Sequence, residues 1–135
     1  MSTQIFVNLP VRDLPASRAF FGALGYRANL KFTNDDAACL VISDTIYVML
    51  LVEPFFQGFT RKTICDARTH TEVILCLSAD SRSAVDELVH KALAAGGSEP
   101  MEAKDYGFMY QRSFQDLDGH LWEVVHMDED AMPTD

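Results

Sequence analysis

Apolar and polar positions along this chain follow two periods, and the order of those periods repeats. Gln4 to Val11 reads as a strand, and Val11-Arg12-Asp13-Leu14 follows. Phe20, Phe21 and Leu24 then fall at helical spacing, and Gly25 closes the run. Residues 73–97 do the same. A strand leads into Ser78-Ala79-Asp80-Ser81, and Val85, Leu88, Val89, Ala92 and Leu93 form an apolar helical stripe that closes at Gly96-Gly97. A stretch of short strands follows each helix. In each stretch an acidic turn leads into an apolar strand: Asp44-Thr45-Ile46-Tyr47-Val48-Met49 in the first, Asp118-Gly119-His120-Leu121-Trp122-Glu123 in the second. The pattern predicts an α+β fold of two βαβββ modules, whose curled mixed sheets surround a shared cleft.

Local signals refine the elements. Pro10 cannot donate to a sheet ladder, which predicts an edge strand or a strand exit. Asp13 predicts an N-cap with Pro15 in the first turn, and Gly25 a C-terminal cap. Tyr26 to Phe32 reads as a strand and Asn34-Asp35-Asp36 as a turn. Ala37 to Ser43 and Thr45 to Val52 read as a hairpin. In the second module, Glu72 to Ala79 is a strand, and Asp80 or Ser81 caps the helix. Further strands are expected near Ser98–Ala103, Met109–Phe114 and His120–His126. Residues 53–71 break the pattern, with Phe55, Phe56 and Phe59 close together and Arg61, Lys62, Arg68 and His70 adding positive charge. That connection reads as a lid or a partner surface.

The length of 135 residues predicts one domain spanning 1–135. Module one covers about 1–54, the connection 55–71, module two about 72–127, and a solvated acidic tail 128–135. The formal charge of −9 sets the chain against nucleic acid, whose phosphates it would repel. No run of about 18 apolar residues predicts a membrane span. No basic region followed by an apolar stretch opens the chain, so no signal peptide is expected. Cys39, Cys65 and Cys76 are odd in number and irregularly spaced. They read as free thiols in a reducing cytoplasm, with Cys39 and Cys76 buried.

The paired modules, the V-x-D-L after the first strand and the run Phe114-Gln-Asp-Leu-Asp-Gly-His-Leu-Trp-Glu123 resemble the vicinal oxygen chelate superfamily. That superfamily includes glyoxalase I, bleomycin and fosfomycin resistance proteins and extradiol dioxygenases. The resemblance covers about residues 5–127. Val7-Asn8-Leu9-Pro10-Val11 and Asp105-Tyr106-Gly107-Phe108-Met109-Tyr110 are similar to a bacterial branch of glyoxalase-related proteins. In metal-using members, a His or Glu on four equivalent strands would hold a metal that polarises two adjacent oxygens of the substrate. By the resemblance these positions are Phe6, Ile74, Met49 and Glu123, so one of the four carries a ligand suited to that chemistry. The resemblance also implies a homodimer, because members commonly complete their clefts across a subunit interface.

Period-two alternation puts Leu121 and Val125 on Glu123's face and His120 and Trp122 on the other. Glu123 reads either as a carboxylate satisfied by Arg112 or Tyr110, or as a base or ligand acceptor in an apolar cup of Phe6, Ile74 and Met49. Such a cup would raise its pKa towards neutrality. Asn8, Tyr47, Tyr110 and Arg112 share phase with cleft residues and could orient a small, partly polar ligand, or they could be satisfied polar groups at a dimer seam. His70, Glu72 and Glu123 form a displaced alternative metal set; read plainly, His70 and Glu72 face solvent at a strand end.

The expected function is binding of a small organic molecule in an apolar cleft without metal or other cofactor. Sequestration, as in the antibiotic-binding members, is one form of it. The ligand-binding set is Phe6, Asn8, Tyr47, Met49, Ile74, Tyr110 and Arg112, with Glu123 at the centre. The alternatives are a lactoylglutathione-lyase-like or dioxygenase-like enzyme with one divalent metal, for which His70, Glu72 and His126 are the further ligand candidates; a metal-free enzyme using Glu123 as base; and a partner-binding dimer.

Overall fold

The structure, a computed structural model, describes residues 2–131. The end of the acidic tail, residues 132–135, lies outside the described residues. The chain divides into two compact units that meet in sequence between Cys65 and Asp66. Each unit contains one βαβββ module.

The first unit runs β1 (Ile5–Val11), α1 (Leu14–Ala23), β2 (Arg27–Ala28), β3 (Ala37–Val41) and β4 (Ile46–Val52), then a short α2 (Glu53–Gln57). Its sheet has the order β1-β4-β3-β2. The β1–β4 pair is parallel and the other two pairs are antiparallel, so the sheet is mixed. β1 is an edge strand, where Pro10 is tolerated. Asp13 caps α1, its Oδ1 accepting from the Ala16 amide at 3.0 Å. Gly25 follows the helix at φ 105°, a conformation that favours glycine. α1 packs on β3 and β4, burying Leu14, Phe20 and Phe21 with Leu40, Val48 and Leu50. Residues of alternate parity, among them Phe6, Tyr47, Met49 and Cys39, occupy the opposite face.

The second unit runs β5 (Ile74–Ser78), α3 (Arg82–Ala94), β6 (Lys104–Asp105), β7 (Met109–Gln115) and β8 (Leu121–Met127). Its sheet order, β5-β8-β7-β6, repeats the first with the same parallel and antiparallel pairs. Ser81, not Asp80, is the N-cap of α3, its Oγ accepting from the Ala84 amide at 3.0 Å. The buried stripe of α3 is Val85, Val89 and Ala92, while Leu88 and Leu93 flank it half-buried. Beneath it lie Phe114, Trp122 and Val124. The Phe114 and Trp122 rings stack 5.9 Å apart. Burying two such rings stabilises the unit by several kcal/mol.

Several expected strands come out shorter or broken. In Tyr26–Phe32 only Arg27–Ala28 pairs, and Leu30–Phe32 is a 3-10 turn. The Asn29 side chain accepts from the Lys31 amide at 3.1 Å and turns the backbone. In Ser98–Ala103 only Ser98 bridges, to Gln115, and Pro100 offers no donor to continue the ladder. The hairpin strands end at Val41 and begin at Ile46, because Ile42 and Ser43 both donate to the Ile46 carbonyl in the turn. Among the described residues no helix is long and apolar enough to cross a membrane.

Candidate functional site

Sheet register sets the site chemistry, because residues paired across adjacent strands present their side chains on one face. In the first unit Met49 pairs with Asn8 on β1 and Cys39 on β3. In the second, Glu123 pairs with Cys76 on β5 and Ser113 on β7. The row Asn8–Met49–Cys39 of one module therefore stands where the other has Cys76–Glu123–Ser113. The repeat relation between Met49 and Glu123 is thus present in the register of both sheets.

The first unit holds a cavity of about 460 Å³ on this face. Phe6, Phe32, Met49 and Cys39 supply its apolar lining, and Gln4, Asn29 and Tyr47 its polar atoms. The Phe6 and Tyr47 rings stack 4.9 Å apart at an interplanar angle of 11°. The Tyr47 hydroxyl is anchored, donating to the Asp44 carbonyl at 3.0 Å. Burial pushes the Cys39 thiol pKa up, so the group stays protonated and apolar in character. Asn8 lies exposed on the same face and does not line the cavity. Gln4, Asn29, Phe32 and Cys39 escaped the sequence reading. Only Cys39 had a usable signal, since its register opposite Met49 follows once the hairpin turn is placed.

The second unit has a smaller cavity of about 230 Å³. Ile74, Pro100, Met101 and Leu121 give it apolar walls, and Ser113, Gln115 and Glu123 line its sheet side. Glu123 is half-buried, and its Oε2 accepts from Gln111 Nε2 at 2.8 Å. Ser113 is 7% exposed, and its hydroxyl is buried without a hydrogen-bond partner. Cys76 is exposed rather than buried, because β5 is an edge strand. Local desolvation, then the nearby Glu123 charge, push its thiol pKa up, which keeps it from acting as a thiolate.

Two expected site residues lie on the other face of this sheet. Tyr110 and Arg112 point towards α3, where the Tyr110 hydroxyl donates to Asp86 Oδ1 at 2.6 Å. Arg112 Nη1 donates to the same oxygen at 3.0 Å, and Arg112 forks onto Glu99 with two bonds of 2.9 Å. Neither satisfies Glu123; Gln111 does. The reason is register: Ser113 sits opposite Glu123, which places Gln111, Ser113 and Gln115 on the Glu123 face and Tyr110 and Arg112 on the reverse. The Tyr110 hydrogen bond holds the Asp86 carboxyl below its ordinary range, and the Glu99 fork raises the Arg112 guanidinium further.

The alternative metal set does not assemble. Among the described residues no group of three or more His, Cys, Asp or Glu side chains is disposed to hold a metal ion. His70 Nδ1 is 2.8 Å from Thr69 Oγ1, and Glu72 is exposed. His126 Nδ1 lies 3.0 Å from the Ala79 carbonyl. Phe6, Met49 and Ile74 leave Glu123 as the one hard ligand among the four positions the resemblance names. In the turn before β8, Asp116 is buried and accepts from the Asp118 and His120 amides and from Trp122 Nε1, each at 3.0 Å. Its desolvation raises its pKa. That carboxylate shapes the turn and holds the tryptophan.

Residues 3–43 match the family described as bleomycin resistance protein-like N-terminal. No curated protein matches the chain. Among solved structures, a hypothetical protein from S. aureus shares 29% identity at a TM-score of 0.78, covering 93% of this chain and 94% of that one. A glyoxalase-related enzyme from Fulvimarina pelagi shares 20% identity at a TM-score of 0.78, with 93% and 88% covered. Lactoylglutathione lyase from Agrobacterium tumefaciens shares 19% identity at a TM-score of 0.66, with 93% and 94% covered. At those last two identities the likeness is one of fold. The match at the N-terminal end is to a bleomycin-resistance-like family, and over nearly the whole chain the fold is the one shared by glyoxalase and bleomycin resistance proteins.

Proposed function

We propose that the protein binds a small, mainly apolar organic molecule on the open face of its first sheet, without a metal. The cavity of about 460 Å³ lined by Phe6, Tyr47 and Met49 carries this reading. Its size lies within the range of about 300–1,000 Å³ common for small-molecule sites. Its stacked Phe6–Tyr47 pair offers a flat aromatic wall at one side. The polar atoms of Gln4 and Asn29 would fix orientation, as a few convergent polar groups do in such pockets. Glyoxalase and bleomycin resistance proteins, which share this fold, agree with a small-molecule role. Metal-free binding draws support from the side chains at the four resembling positions, three of which cannot ligate a hard ion.

The test is a panel of small aromatic and aliphatic compounds screened by thermal shift, with hits titrated calorimetrically. One-to-one binding that weakens at least tenfold in Phe6→Ala or Met49→Glu supports the reading. Binding untouched by both variants would sink it. Elemental analysis of untagged protein dialysed against nickel, zinc, manganese and iron accompanies the screen. About one ion per chain, lost in Glu123→Ala, would move the assignment to a metal-dependent lyase or dioxygenase.

A further inference from the structure

We infer that the first-unit cavity selects a neutral aryl carboxamide, or its cyclic equivalent, a lactam. This rests on the reading above, that the open face of the first sheet binds a small molecule, and it names the group such a molecule carries.

The two amide side chains that line the cavity decide the group. Asn29 Oδ1 accepts from the Lys31 amide at 3.1 Å. A backbone N–H only donates, so that bond identifies the oxygen. It leaves the two Nδ2 hydrogens without a partner among the described residues. Asn29 is half-buried, and its Nδ2 is not sealed from solvent, so a ligand can reach it. Gln4 is the mirror case. Its Nε2 donates to the Asp44 carbonyl and to the Tyr47 hydroxyl, each at 3.4 Å. The Asp44 carbonyl only accepts, which fixes Nε2 as the nitrogen. Oε1, on an exposed residue, is then an acceptor without a partner among the described residues. The Tyr47 hydroxyl hydrogen is committed to the Asp44 carbonyl at 3.0 Å. Cys39 keeps its proton and is a weak donor, and Met49 has no hydrogen to give. The remaining capacity is a pair of N–H donors at Asn29 and a carbonyl acceptor at Gln4.

A carboxamide presents the complement: a C=O that accepts from Asn29 and an N–H that donates to Gln4. A ligand with acceptors alone would leave the Gln4 oxygen unpaired, and one with donors alone the Asn29 hydrogens. The lining also sets the charge. Among the described residues no acidic, basic or imidazole side chain borders the cavity. A carboxylate or an ammonium would therefore shed water with no opposite charge to receive it. The aryl part follows from the wall. Phe6 and Tyr47 pair in register across β1 and β4, and their rings stack 4.9 Å apart. Phe6 is 51% exposed, which leaves ring surface for a third ring to cover. Phe32, also exposed, adds a further ring to the lining.

The experiment titrates the intact protein with four compounds of similar shape: benzamide, benzoate, benzamidinium and toluene. Salt at about 0.15 M screens the net charge of −9. Binding is read by NMR shifts and by calorimetry. Benzamide is expected to bind one to one and at least tenfold tighter than each of the others. Asn29→Asp keeps an oxygen for the Lys31 amide, so the melting temperature should hold, but it replaces the two donors with a negative charge. In that variant benzamide should weaken at least tenfold and benzamidinium should overtake it. Gln4→Met, which removes the acceptor, should weaken benzamide several-fold. Any of the other three binding as tightly as benzamide, or an order unchanged in Asn29→Asp, would overturn the inference. Toluene binding that is lost in Phe6→Ala would then leave the small-molecule site itself standing. If none of the four binds, or if Phe6→Ala leaves their affinities untouched, both readings fall.

Discussion

At the residue scale, the acidic side chains of the second unit divide by what surrounds them. Asp105 is exposed, yet Arg82 forks onto it at 2.7 and 2.9 Å and the Gly107 amide donates to it at 2.9 Å. The Arg82 fork, then the Gly107 bond, hold its pKa at about 2 against an ordinary 3.8. A carboxyl with a depressed folded pKa adds stability above its unfolded pKa and loses it as pH falls through the folded value. Asp105→Asn should therefore flatten the acid loss of stability between about pH 4 and pH 2 and leave the slope above pH 5 alone; denaturant melts across that range check it. Asp116 runs the opposite way. Burial raises its pKa, so its share of stability is greatest when it is protonated and declines as pH rises through the folded value. The Arg112 cluster is a packing device: with its side chain 11% exposed, Arg112→Ala would leave Asp86 and Glu99 facing each other without their cation. Loss of one partner from such a partly buried set costs about 3 kcal/mol, measurable by urea denaturation, while affinity for ligands on the opposite sheet face should hold.

At the scale of elements, two glycines separate conformational from steric demand. Gly25 and Gly119 both sit at positive φ, 105° and 88°. A Cβ on Gly25 would meet nothing within 4 Å, whereas one on Gly119 would fall 2.8 Å from the Arg68 Cα and 2.9 Å from its amide nitrogen. Gly25→Ala is expected to cost about 1–2 kcal/mol from backbone strain alone. Gly119→Ala should cost clearly more, because the 67–68 backbone must move away. Equal losses in the two variants, by chemical denaturation, would contradict that close approach. Element caps were the most legible feature of the chain: Asp13 and Gly25 bracket α1 as their chemistry demands. Short connecting strands were the least legible. The alternating apolar residues of Tyr26–Phe32 suggest a strand, but the Asn29 side chain supplies a local hydrogen bond that competes with the ladder. The α2 helix, hidden in the connection, has no side-chain cap to announce it.

At the scale of the molecule, the βαβββ repeat was readable because each module carries the same sequence of signals: strand, cap, helical stripe, acidic turn. The candidate site was half readable. Alternation sorted Leu121, Glu123 and Val125 from Trp122 correctly, since one strand needs only its own parity. It misplaced Tyr110 and Arg112, since parity within β7 says nothing about which face of β8 it matches until the register is known. The turn Asp116–Gly119 fixes that register, and its length is not visible in hydrophobic pattern.

Trp122 is the single tryptophan of the chain. It is 1% exposed, stacked on Phe114, with its indole nitrogen bonded to Asp116. The second unit thus carries a built-in optical probe, and the first, which has tyrosines but no indole, is nearly silent at the same wavelengths. Emission should be blue-shifted in the native protein and move to the red as the second sheet opens. Followed beside far-ultraviolet circular dichroism, which sees both modules, it turns one denaturant titration into a measure of how the two halves melt. Coincident midpoints mean one cooperative transition; an early or late emission shift means that one module outlasts the other.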